Sequence, residues 1–163
     1  MARLGEGLWA GGARALAVAV LADSGGAPAP AVAGASPRSL AQRYLAIAEA
    51  GNRRLEHDFD PLEGRDRDNL VRARADLADA AATERLFDRR LLAIRFPPAI
   101  EAVAKRLYRI NEKRATVTAA AAAAATLSNL RSYEPVLDAA NVPVEQAVAE
   151  LRRLLGLPPP ETS

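Results

Sequence analysis

Four stretches between Ser36 and Leu155 repeat apolar residues at spacings of three and four, and no stretch alternates with a strand period. That spacing puts one apolar stripe on each helix and commits the chain to helix-on-helix packing. The first stretch opens at Ser36-Pro37, a capping serine before a proline that has no N–H to leave unsatisfied. Its stripe runs Leu40, Tyr44, Ile47/Ala48, Gly51, Leu55, Phe59, and Asp60-Pro61 with Gly64 close it. The second, capped by Asp66 or Asp68, carries Leu70, Ala73, Leu77, Ala80, Glu84, Phe87, Leu91 and Ile94. Phe96-Pro97-Pro98 then forms a stiff corner, because a residue before proline is pushed out of the helical region.

The third stretch is expected to be the longest, from Pro98 to Arg131, roughly 50 Å at about 1.5 Å per residue. Its stripe is Ile100, Val103, Leu107, Ile110, Arg114, Val117, Ala121, Ala124 and Leu127, and it contains the run of alanines from Ala119 to Ala125. The fourth starts at Pro135 with Leu137, Ala140, Val144, Val148, Leu151 and Leu155 in phase. The phase survives Pro143, so one kinked helix is expected there. Gly156-Leu157 has the form of a Schellman stop, and Pro158 to Pro160 forbid continuation. The predicted fold class is all-α: an antiparallel up-down-up-down four-helix bundle over residues 36–163, with a long third helix and a fourth helix kinked at Pro143. A turn near Ser132 would put the alanine run level with Pro143, where a small-residue face admits the bulged helix. Plain helix propensity is the alternative account of the run.

Each of the second and third stripes has one charged break, Glu84 and Arg114. Counting away from the Phe96 corner places Glu84 near Ile110, within reach of Arg114 or Arg109. A buried or half-buried ion pair is expected there, fixing register more than adding stability.

Residues 1–35 differ from the rest: Gly, Ala, Pro and Ser dominate and charge is sparse. Arg3 and Arg14 precede the apolar run Ala15–Ala22, followed by Asp23 and Ser24, with small residues permitting cleavage after Ala22, Ala29 or Ala35. This is the order of an export signal. The run is far shorter than the roughly 20 residues a membrane-spanning helix needs. The expectation is therefore a disordered, signal-like leader with a Gly/Ala/Pro-rich linker at 1–35, and no transmembrane helix. The location expected is extracytoplasmic, secreted or associated with the cell envelope. A disordered tail on a cytoplasmic protein is the alternative if the leader is not a signal.

Composition narrows the chemistry. Without cysteine there is neither a disulfide framework nor a thiolate metal site, and a single histidine, His57, removes paired-imidazole sites. A formal charge of +2 from 22 basic and 20 acidic residues gives no reason to expect a nucleic-acid partner. Glu56-His57-Asp58-Phe59-Asp60 is the densest ligand-like cluster, but adjacent helical side chains diverge by about 100°. It reads as a solvated helix end, with a weak metal site as the alternative. Lys105, Arg106, Arg109, Lys113 and Arg114 make the third helix locally basic without interleaved aromatics. They read as a solvated face partly paired with acids, with anionic-surface binding as the alternative. Tyr44, Tyr108 and Tyr133, scattered singly, read as core-edge residues with wet hydroxyls rather than pocket or haem ligands. No P-loop, dinucleotide fingerprint, nucleophile elbow or HExxH occurs, and no catalytic, cofactor-binding or metal residue is nominated.

LADSGG at 21–26, APAPA at 27–31, FPPA at 96–99, LDAANVPVE at 137–145 and LRRLLGLPPP at 151–160 together resemble small exported proteins of high-GC Gram-positive bacteria. In that group a helical bundle follows a signal or lipoprotein leader. Ser24 stands where a lipobox would carry its lipidated cysteine, and a serine cannot form the thioether. The resemblance carries over no functional residue; because spacing nominates no acid/base pair, the first expectation is a non-enzymatic exported bundle that needs no cofactor and acts by binding an unidentified protein or envelope partner. A small-molecule or metal-binding carrier with a pocket between helices is the alternative, favoured by an apolar cavity at Tyr108, Tyr44 or Phe87.

Overall fold

The computed structural model describes residues 36–160; the leader at 1–35 lies outside the described residues. There are four long helices and one short one: α1 (Pro37–Glu63), α2 (Leu70–Leu92), α3 (Pro98–Ala122), α4 (Leu127–Arg131) and α5 (Glu134–Leu154). Among the described residues there is no strand.

The first helix begins as its sequence dictates. Ser36 Oγ accepts from the Ser39 N–H at 3.3 Å, and Ser39 Oγ donates back to the Ser36 carbonyl at 2.8 Å. At its other end α1 runs through Pro61 to Glu63, slightly past the expected close. The cap of α2 is a correction: Asn69, neither Asp66 nor Asp68, accepts the Arg72 N–H at 3.2 Å. Both aspartates are engaged by arginine side chains. Asp66 is buried between Arg65 Nε and Arg72 Nη1, and Asp68 takes Arg131 Nη2 at 2.7 Å.

A second correction concerns the long third helix. It stops at Ala122, which at about 1.5 Å per residue makes it some 37 Å long rather than 50 Å. Alanine does not end helices by propensity, so the cause is elsewhere. Arg74 Nε, on α2, donates to the Ala122 carbonyl at 2.8 Å. The Ala123 and Ala124 N–H groups tighten to Ala120 and Ala121, the 3₁₀ closure common at helix ends. Thr126 then caps a new helix, its Oγ1 accepting from the Asn129 N–H at 3.1 Å. Satisfied ends on both sides make the break cheap.

The early stop also changes the register. About a turn at Ser132, Arg106 would be level with Pro159; instead it bridges Glu150 on α5. Ala121 and Ala124 are nonetheless buried in the core. At the far end, α5 closes with the expected Schellman pair: Gly156 N–H to Arg153 O at 3.2 Å and Leu157 N–H to Arg152 O at 2.9 Å. Gly156 takes the left-handed conformation that this motif demands (φ 69°).

Helix α2 packs against both α1 and α3, and α3 packs against α5 as well. The expected stripes face inward. Ala73, Leu77, Ala80, Phe87 and Leu91 of α2, and Ile94 just beyond its end, share one buried core with Leu40, Tyr44, Leu55 and Phe59 of α1 and Val103, Leu107 and Ala121 of α3. Leu137, Val144, Val148 and Leu151 line the buried side of α5. Along the α2–α3 seam, Arg74 meets Ala122, Glu84 meets Arg114 and Asp88 meets Asn111, so numbers fall on α3 as they rise on α2.

Candidate functional site

The middle of the α2–α3 seam is polar. On α2, Glu84 and Asp88 are one turn apart and therefore share a face. On α3, Asn111, Arg114 and Thr118 follow one another at intervals of three and four residues and face them. All five are buried, and Glu84 and Arg114 are each only 1% exposed. The expected ion pair is there: Arg114 Nη2 lies 3.2 Å from Glu84 Oε1, while Arg109 stays exposed. The Thr118 hydroxyl sits 3.4 Å from both Glu84 carboxylate oxygens and 3.1 Å from the Arg114 carbonyl, so its one proton serves either residue. Asn111 Nδ2 donates to Asp88 Oδ1 at 3.0 Å and approaches the Glu84 carbonyl at 3.4 Å.

The electrostatics follow from burial. Loss of water pushes the Glu84 carboxyl up, opposed by Arg114 and the Thr118 hydroxyl. Asp88 is pushed up to about 7, again by burial, with the Asn111 hydrogen bond pulling the other way. Its second oxygen, Oδ2, accepts no hydrogen bond among the described residues. Toward α1 the polar region continues at Thr83, whose hydroxyl donates to Asp58 Oδ2 at 3.4 Å. Burial, then the nearby Asp79, push the pKa of Asp58 up.

The sequence foresaw the pair but not its neighbours. Asp88, Asn111 and Thr118 escaped notice because asparagine, aspartate and threonine one turn from a charged break are equally at home on a wet helix flank. The usable signal was their phase, since each lies three or four residues from Glu84 or Arg114.

The other candidates separate. Glu56, His57 and Asp60 are exposed, whereas Asp58 and Phe59 point inward, so the acidic cluster is split across the helix. Among the described residues no three His, Asp or Glu side chains group as metal ligands would. In the basic stretch, Lys105 pairs with Glu101 at 2.6 Å and Arg106 with Glu150. Arg109 and Lys113 are exposed, and Arg114 belongs to the core. The tyrosines need one correction. Tyr108 and Tyr133 are half-buried, but Tyr44 is 0% exposed and its hydroxyl has no hydrogen-bond partner among the described residues. Burial pushes it up to about 12, against the pull of Arg152. Arg152 is buried too, and its Nε donates to the Pro158 carbonyl at 2.7 Å, tying down the chain that follows α5.

No known protein family, curated protein or solved structure matches this chain. What the site can do is therefore read from its own geometry. The space beside Phe87, bounded by Ile47, Gly51 and Thr83, amounts to about 10 Å³, too little for a ligand. An open cleft of about 190 Å³ lies at the α2–α3 corner, floored by Leu91, Ile94, Phe96 and Ala104 and edged by Arg95, Glu101 and Lys105. It touches none of the polar residues in the seam. The seam can thus hold charge, protons and helix register, with its carboxyls closed off from solvent.

Proposed function

We propose that the chain is an exported, non-enzymatic helical bundle that works by binding a partner at the cell envelope. The observation that supports this reading is the enclosure of the polar seam. Its shifted carboxyls, Glu84 and Asp88, are buried and turned toward α3 rather than toward a cleft where a substrate could reach them. The groups offered to the outside are charged side chains of both signs and a few solitary apolar ones, among them Val71 at 78% exposed, Val136 and Val142. A surface of that kind suits contact with another macromolecule. Among the described residues, no helix is long and apolar enough to cross a membrane. Export rests on the order of Arg14, the Ala15–Ala22 run and the small residues after it. The arrangement that goes with this reading is the antiparallel up-down-up-down bundle, with α5 bent where Pro143 removes a backbone donor.

Fractionation of the native producer, with N-terminal sequencing of the recovered chain, tests the reading. A new N-terminus following Ala22, Ala29 or Ala35 in the extracytoplasmic fraction supports it. An intact Met1 in the cytosol would sink it. The carrier alternative draws on the cleft edged by Arg95 and Lys105. Leu92 also lines that cleft, and saturable binding of a small anionic amphiphile, lost on Leu92→Glu, would move the assignment there.

A further inference from the structure

The polar seam holds two carboxyls of very different standing. Glu84 has the Arg114 guanidinium at 3.2 Å and the Thr118 hydroxyl at 3.4 Å. Asp88, equally shut off from water, has one neutral donor, the Asn111 amide, on one oxygen and nothing on the other among the described residues. An ionised carboxylate offers about four acceptor sites and, once buried, is strongly disfavoured unless they are met. A neutral acid asks for far less. The surroundings of Asp88 therefore match the protonated form, while those of Glu84 match the ionised one.

The charged groups around Asp88 point the same way. Glu84 from its own helix and Glu112 from α3 oppose a negative charge there, and Arg114 from α3 favours one. Arg114 lies in the pair with Glu84, and Glu112 is bridged at 3.2 Å by Arg85 at the edge of the seam. On the other flank of α2, helix α1 buries the amide of Asn52 and leaves Arg53 and Arg54 exposed. Helix α5 packs on α3, and its buried guanidinium, Arg152, acts on Tyr44.

We propose that Asp88 is a built-in proton-binding site that makes the α2–α3 seam pH-sensitive, firm when the carboxyl is protonated and loosened when it ionises. The seam is the largest helix–helix contact of the fold, so its strength bears on the whole domain. The direction of the effect follows from linkage. Burial holds the folded-state pKa of Asp88 up at about 7, above the ordinary 3.8 of an unfolded aspartate. Folding therefore takes up a proton between those limits. The stabilisation is complete at the acid end of the window and is lost as pH rises through neutrality.

The test uses the full chain with ¹³C-labelled aspartate carboxyls, followed by NMR from pH 4 to 9 and assigned by correlation to the backbone. The Asp88 resonance is expected to move with a midpoint near neutrality. In Asn111→Leu, which removes the donor favouring ionisation, that midpoint is expected to shift further alkaline. Urea midpoints measured at pH 5.5 and 8.5 should fall for the wild type and stay level for Asp88→Asn. An Asp88 resonance that completes its movement below pH 5 overturns the proposal. So does an Asp88→Asn variant whose urea midpoint falls as much as the wild type's. Should Asp88→Asn fail to fold, the wild-type titration decides alone.

Discussion

Removing the charge of Glu84 while keeping its shape is the sharpest probe of the seam. In Glu84→Gln the side chain still fills its place and still accepts from Thr118, but Arg114 keeps a guanidinium that is 1% exposed and has lost its counter-charge at 3.2 Å. Breaking one side of a buried pair costs about 3–5 kcal/mol, because the remaining charge stays desolvated. For a domain of this size each kcal/mol corresponds to roughly 3–5 °C in Tm, so a fall of about 10–20 °C is expected. Arg114→Met, leaving Glu84 uncompensated, should fall comparably. The double variant removes both charges, so its loss should fall short of the sum of the two single losses by about 3 kcal/mol. Thermal and urea unfolding by circular dichroism on the four proteins closes the cycle. Additive single effects would refute the reasoning, since they would mean that each group is solvated independently and that the pair does not act as a unit.

Three smaller perturbations test other parts of the fold. Gly156→Ala should cost about 1–2 kcal/mol through backbone strain alone, since its φ is 69° and an added Cβ meets no atom within 4 Å. Gly156→Asn should recover part of that loss of Tm. Tyr44→Phe should leave urea stability unchanged or raise it, because it removes a buried hydroxyl that has no hydrogen-bond partner among the described residues; a loss above about 2 kcal/mol would reveal a partner for it. Ser36→Ala should cost about 1 kcal/mol and speed amide exchange over the first turn of α1, where Ser36 caps the Ser39 N–H.

How much was legible beforehand differs from element to element. The start of α1 and the Schellman end of α5 were readable because a cap acts within three or four residues of itself, and those residues are printed side by side. Glu84 and Arg114 were readable as a pair because each interrupts an otherwise apolar stripe and the stiff Phe96-Pro97-Pro98 corner fixes the count between them. The cap of α2 was misread because Asp66 and Asp68 are as good at capping as Asn69 is. The choice among them is made by Arg65, Arg72 and Arg131, which engage the two aspartates.

The chain's own order thus determined that it is helical, where most helices begin and end, which face of each is apolar, and that one charge from α2 must answer one from α3. These are consequences of propensity, capping and period, all of which act over a turn or two of chain. Tertiary structure alone decided that α3 ends at Ala122, where an arginine 48 residues away claims the carbonyl. It alone decided that Tyr44 is sealed in the core and that Asp88 is left with a single donor. Those outcomes depend on how closely separate helices approach, and the free energy that settles them is the burial of polar groups, which no local pattern records.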